Sequence, residues 1–114
     1  MNILFVCTSN RDRSPSLERY FKQFYPVHQY RSAGVNRYFT TKKQTHYITP
    51  EDLEWADRIV CAETVHHQCL VRDFGPDMVD KRVICLNLGE YEQGDVGQEY
   101  LDKAVEKVSK IVDF

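Results

Sequence analysis

Apolar and polar positions change period repeatedly along the chain, and each change marks an element. Ile3, Leu4, Phe5 and Val6 form a short run with no alternation, as expected of a strand buried on both faces. Leu17, Tyr20, Phe21 and Phe24 then recur at i, i+3, i+4 and i+7, which predicts a helix from Ser14 to Phe24 that stops before Pro26. Residues 29–33 read as a second short strand, closed by Gly34. Residues 35–47 have no clean period and are rich in Thr, Lys and Arg, so they read as mostly loop. Thr49, Pro50, Glu51 and Asp52 supply a cap, a helix-starting proline and an acidic first turn. The helix they open is short, because residues 57–62 read as strand. Thr64 predicts the start of another helix, with Val65, Cys69, Leu70 and Phe74 inward, broken at Gly75 and Pro76. Residues 81–86 give a fourth strand. Residues 98–112 give a last helix with Leu101, Ala104, Val105, Val108, Ile111 and Val112 on one side. Strand and helix alternate four times, the pattern of an α/β protein whose parallel sheet is covered on both faces through right-handed crossovers.

Length and charge narrow the picture. The 114 residues suit a single domain spanning 1–114, and a net charge of -2 gives no reason to expect nucleic acid or an acidic membrane surface as partner. No run is long enough to span a bilayer, and the apolar run after Met1 is too short for a secretory leader, so a cytoplasmic protein is expected. In that compartment Cys7, Cys61, Cys69 and Cys85 read as free thiols. His66, His67 and Cys69 do not make a metal site: adjacent helical histidines diverge by about 100° and a fourth ligand is missing. No metal or other cofactor is expected.

The polar stretch between the first strand and the first helix carries the densest chemistry. Pro15 suits a first helical position and Ser14 an N-cap, so the stretch ends on a helix N-terminus, where orphan N–H groups and the dipole favour an anion. Cys7 stands at the mouth of that site and Arg13 six residues on. The thiolate is the reactive form of cysteine, and such a field favours it. Arginine offers a planar fork matched to two phosphate oxygens. A Cys-x5-Arg-Ser loop of this kind can ring a tetrahedral oxyanion with the amides of Thr8, Ser9, Asn10, Arg11, Asp12, Arg13 and Ser14 while the sulfur attacks its centre. Taken alone, Cys7 fits a buried structural cysteine at a strand end. The strand, Arg13, the Ser14-Pro15 pair and the helix together favour the nucleophile.

Residues 5–15, from Phe5 through Cys7 and Arg13 to Pro15, resemble the phosphate-binding loop of the low-molecular-weight protein tyrosine phosphatases, which follows the first strand near the N-terminus. Arg31 to Gly34, residues 48–61 and residues 81–86 are similar to further segments of that family, in order, so the resemblance covers nearly the whole chain. It implies a three-layer sandwich whose four-stranded parallel sheet has the order 2-1-3-4, with Cys7 at the point where such sheets bind ligands. It also implies a cofactor-independent phosphatase that cleaves a phosphate monoester, foremost phosphotyrosine, on a phosphorylated protein or a small ester, through a cysteinyl-phosphate intermediate.

That chemistry needs an acid for the leaving oxygen, which in the family is an aspartate followed by proline in the loop before the last helix. Residues 87–97 contain no Asp-Pro. Asp95 is the nearest equivalent by position and Glu90, closer to the strand end, is the alternative; Asp95 also fits a cap for the last helix. The resemblance further implies an aromatic wall at the cleft, for which Tyr38, Phe39 and Tyr47 are candidates beside Tyr91, with core filling as the competing role. Asn10 and Ser14 match the family's loop-stiffening asparagine and the serine that hydrogen-bonds the nucleophile. Asp12 stands where many members carry a second cysteine, which removes a loop disulfide with Cys7, and its side chain is expected outward, paired with Arg11. Two rival readings remain open. One is a thioredoxin-coupled arsenate reductase on the same fold, with Cys61 and Cys69 as its redox pair. The other is a catalytically impaired phosphate-recognition module, suggested by the missing Asp-Pro.

Overall fold

The computed structural model describes residues 1–79, 82–89 and 96–114. Four strands, β1 (Asn2–Cys7), β2 (Gln29–Gly34), β3 (Arg58–Cys61) and β4 (Val83–Cys85), pair in parallel in the order β2-β1-β3-β4, the order expected above. From Ile3 to Cys7 no residue of β1 is more than 3% exposed, which is why its sequence shows no alternation.

The period of two appears instead in the choice of face. Ile3 and Phe5 turn to one side with Tyr30 and Val60, and are covered by α1 (Arg13–Phe24) and α6 (Gln98–Val108) through Leu17, Phe21, Tyr100, Ala104 and Val108. Leu4 and Val6 turn to the other with Ala33, Ile59 and Cys61, beneath α3 (Pro50–Trp55), α4 (Thr64–Phe74) and α5 (Pro76–Val79), which supply Leu53, Leu70 and Val79. Two cores thus sandwich the sheet, and burying a side chain such as Phe21 in one of them contributes about 1.5–3 kcal/mol. The ring of Phe21 lies 5.0 Å from that of Phe5, which ties α1 to β1 just below the connecting segment 8–12.

Several boundaries differ from those read in the sequence. Residues 35–47 are not mostly loop: α2 (Arg37–Lys43) is capped by the Asn36 side chain, which accepts from Phe39 N at 3.0 Å, and is closed by Gln44 at φ 58°. Only Thr40 of this helix is buried, so no apolar period announces it. The first helix begins at Arg13, with Asp12 at the cap position, because the Ser14 hydroxyl is engaged by a side chain inside the loop rather than by the helix backbone. Phe24, expected inward, is 55% exposed at the frayed end of α1. Along α4, Leu70 is buried and Cys69 and Phe74 pack partly buried against the same core as expected, but Val65 is 53% exposed and His66 takes the inward place at 1%. The capping box at α3 is as read, with Thr49 Oγ1 accepting from Asp52 N at 3.2 Å and Asp52 Oδ2 accepting from Thr49 N at 3.0 Å. The last helix ends at Val108, four residues short of the expected end, although Val112 remains buried.

Candidate active site

Residues 8–12 bend between β1 and α1 and are held from outside by three neighbouring segments. The carbonyls of Cys7 and Thr8 accept from Val35 N and Asn36 N, each at 3.0 Å, and Thr45 Oγ1 donates to Ser9 O. Asn10 sits in the left-handed region at φ 54°, a conformation asparagine tolerates better than most residues. Its buried side chain bonds in three directions. Nδ2 donates to Ser14 Oγ and to Ser32 Oγ, both at 2.9 Å, and Oδ1 accepts from His46 N at 3.2 Å.

Cys7 occupies the floor of this arrangement, with its sulfur 3.0 Å from Ser14 Oγ. That hydroxyl accepts from Asn10 and keeps its own proton for an acceptor; the sulfur is nearer than Ala33 O, which lies at 3.5 Å. Ser32 Oγ in turn donates to Glu18 Oε1 at 2.5 Å, so one chain of bonds runs from the sulfur through Ser14, Asn10 and Ser32 to α1. Gly34 makes the close packing possible. It pairs with Cys7 across the β1–β2 ladder, and a methyl group on it would stand 2.8 Å from Thr8 O and 2.9 Å from Asn10 N. What the position demands is the absence of a side chain.

Arg13 turns into the site. Its side chain is 13% exposed, and Nη1 donates to Glu63 Oε1 at 3.2 Å. Cys7, Thr8, Ser9, Asp12 and Arg13 line a cavity of about 160 Å³. Asp12 pairs with Arg11 at 3.9 Å as expected, yet it also lines the cavity instead of turning fully outward.

Two partners of the loop were not found in the sequence, Glu63 and His66. His66 is buried, its Nδ1 accepts from Glu63 N at 3.0 Å, and its Nε2 lies 2.9 Å from Thr8 Oγ1. Because Nδ1 accepts, Nε2 carries the proton and donates to Thr8. Burial, and secondarily the charge of Arg13, lowers this imidazole to about 4, so it is neutral near pH 7. The sequence held one usable signal, a histidine at the third position of a helix that opens at a strand end; its pairing with Thr8 follows from the topology.

Tyr38 and Phe39 lie on α2, which starts one residue after the Asn36 that binds Thr8 O, and both rings are exposed, at 64% and 42%. They meet edge to face at 5.3 Å. Neither fills the core. Tyr47 does, packing partly buried under the α3–α4 side. Asp95, Glu90 and Tyr91 lie outside the described residues. Cys61 and Cys69, the redox pair of the rival reductase reading, have a third cysteine beside them: Cys85 stands directly opposite Cys61 in the β3–β4 ladder.

A parallel β2-β1-β3-β4 sheet with a cysteine–arginine loop at its switch point defines an α/β protein of the cysteine-phosphatase type. The comparisons carry this further. No protein-family model matches the chain. The low-molecular-weight protein-tyrosine-phosphatase PtpB of Staphylococcus aureus is 31% identical over 117 residues, covering 88% of this chain and 81% of that protein. Among solved structures, SP-PTP, a low-molecular-weight protein tyrosine phosphatase from Streptococcus pyogenes, superposes with a TM-score of 0.72 at 16% identity, covering 98% of this chain and 93% of that one. The YwlE arginine phosphatase from Geobacillus stearothermophilus superposes with a TM-score of 0.66 at 20% identity, over 96% and 93% of the two chains. The chain belongs to the low-molecular-weight protein-tyrosine-phosphatase family, and phosphatase activity is the function that goes with it.

Proposed function

We propose that this protein hydrolyses a phosphate monoester, foremost phosphotyrosine, through a phosphoryl group carried on Cys7. The observation that carries the reading is the sulfur of Cys7 at the floor of a cavity walled by Arg13, with the Ser14 hydroxyl 3.0 Å away. With the carbonyls of Cys7, Thr8 and Ser9 taken from outside, the amides of residues 8–14 are left to receive the phosphate oxygens. The Arg13 guanidinium gives one N–H to Glu63 and has further donors to bridge two oxygens of the dianion. Sulfur attacks phosphorus in line; the S–P bond forms as the bond to the leaving oxygen breaks, and that oxygen takes a proton from a carboxylic acid. We assign the acid to Asp95, with Glu90 as the alternative. In the second step the same carboxylate removes a proton from water, the water oxygen attacks phosphorus, and the S–P bond breaks to free inorganic phosphate and the thiolate. Ser14 supports both steps by donating to the sulfur as negative charge leaves it and returns.

The exposed rings of Tyr38 and Phe39 beside the loop support an aryl ester, since an aromatic leaving group can stack on them. The whole chain, 1–114, would act as one catalytic domain. We place it in the cytoplasm, where its cysteines are free and where, among the described residues, no helix is long and apolar enough to cross a membrane.

The test is turnover of p-nitrophenyl phosphate and of a phosphotyrosyl peptide by the wild type, Cys7→Ser, Asp95→Asn and Glu90→Gln, with a phosphoarginyl peptide as the competing substrate. Cys7→Ser should abolish turnover, and one carboxylate variant should lose about 10²-fold or more in kcat. A wild type that releases one equivalent of phenol and then stops is an impaired module. Full rate in both carboxylate variants would refute the acid assignment.

A further inference from the structure

β3 and β4 each end on a cysteine, and the parallel register sets Cys61 directly against Cys85. Neighbouring strands lie about 4.8 Å apart, inside the roughly 4.4–6.8 Å that the α-carbons of a disulfide span. Side chains at one register position leave the sheet on the same face. Both side chains pack on the α3–α4 side of the sheet. Their surroundings differ. Cys61 is fully buried, whereas Cys85 lies half-buried on the edge strand, near His67 and Thr64 at the start of α4.

We propose that Cys61 and Cys85 form an oxidisable pair, a modification site separate from the Cys7 loop, in which a hydroperoxide oxidises Cys85 and Cys61 closes the disulfide. The neighbouring Cys61 thiol, opposed by partial burial and assisted by His67 and Thr64, brings Cys85 down to about 6, so it is a thiolate near pH 7. Cys61, beside Cys85 and desolvated, is pushed up and stays protonated as the resolving partner. The Cys85 sulfur attacks one peroxide oxygen; the O–O bond breaks, hydroxide leaves and is protonated to water, and a sulfenic acid forms. Cys61 then gives up its proton as its sulfur attacks the sulfenic sulfur. The S–O bond breaks, a second water leaves and the S–S bond is made. Two thiols lose two electrons to one hydrogen peroxide, and two waters result. Cys61 lies two residues before Glu63, the partner of Arg13, so the crosslink would form at the strand end that supports the cavity wall.

The experiment uses the full chain carrying Cys7→Ser and Cys69→Ser, which leaves Cys61 and Cys85 as its only thiols. It is treated with a small excess of hydrogen peroxide at neutral pH and read by intact mass and a non-reducing tryptic map. Cys69→Ala replaces Cys69→Ser if circular dichroism shows that the serine variant is unfolded. The expected result is loss of two hydrogens per monomer, a bond joining the peptide containing Cys61 to the one containing Cys85, and return to the starting mass with dithiothreitol. Adding Cys85→Ser should abolish the link. Oxygen addition at Cys85 without a link, a disulfide-joined dimer, or a link that forms only when Cys69 is present would each overturn the proposal.

Discussion

Gly34→Ala should disable the site without touching any group that carries chemistry. The added methyl would stand 2.7 Å from Thr40 Cγ2, 2.8 Å from Thr8 O and 2.9 Å from Asn10 N, where ordinary contact starts near 3.4 Å. Thr40 is a side chain and can give way. The other two are backbone atoms of the loop around Cys7, and Thr8 O is fixed by Asn36 N. The loop must therefore move by about half an ångström, at an overpacking cost of about 1–3 kcal/mol. Lower entropy of the unfolded alanine chain offsets about 0.4–1 kcal/mol of this. The net loss is about 1–2 kcal/mol, or roughly 4–8 °C in Tm for a chain of this size. A 1 Å misplacement of reacting groups can cost about 10²-fold, so half of that predicts about a tenfold drop in kcat on p-nitrophenyl phosphate. Thermal unfolding and steady-state kinetics of Gly34→Ala, alone and with Thr40→Ser, measure both effects. Unchanged kcat and Tm in Gly34→Ala would refute the reasoning. So would full rescue by Thr40→Ser, because that substitution relieves only the side-chain contact and leaves both backbone contacts in place.

Two further outcomes follow from Glu63 and His66. Glu63→Ala removes the partner that holds the Arg13 guanidinium, so competitive inhibition by inorganic phosphate should weaken about tenfold; tighter phosphate binding would show that Glu63 competes with the anion instead of orienting the arginine. His66 is held near 4 in the folded chain against an ordinary value of 6.5, so between pH 6.5 and pH 4 the unfolded chain takes up a proton that the folded chain refuses. Stability from this residue is therefore complete above pH 6.5 and falls as the pH drops toward 4, by roughly 3 kcal/mol at most. Urea midpoints across that range, compared with those of His66→Gln, should show a slope that the variant lacks, and parallel slopes would contradict the assignment.

The sheet was legible because its strands are short and bounded by helix-start or turn residues, most clearly at the buried apolar run Ile3 to Val6 and at the helix start Thr49 to Asp52. Cys7, Arg13, Asn10 and Ser14 were legible as a loop because their contacts are nearly local in sequence: the bonds from Ser14 to Cys7 and to Asn10 span seven and four residues. What stayed hidden depends on distant segments. α2 exposes most of its side chains and so leaves no apolar period, although its capping residue Asn36 sits on the loop. Glu63 and His66 reach Arg13 and Thr8 across 50 and 58 residues, a proximity created only by the pairing of β1 with β3. The Cys61–Cys85 contact is hidden for the same reason, since only the β3–β4 register brings the two together.

The loop around Cys7 lies at the protein surface but is fastened to the end of β2, to the segment before α3 and to the first turn of α4. Fluctuations that free one of these attachments leave the others intact. Solvent deuterium and proteases thus meet a surface turn with the slow opening of a core strand, released only when most of the molecule comes apart with it.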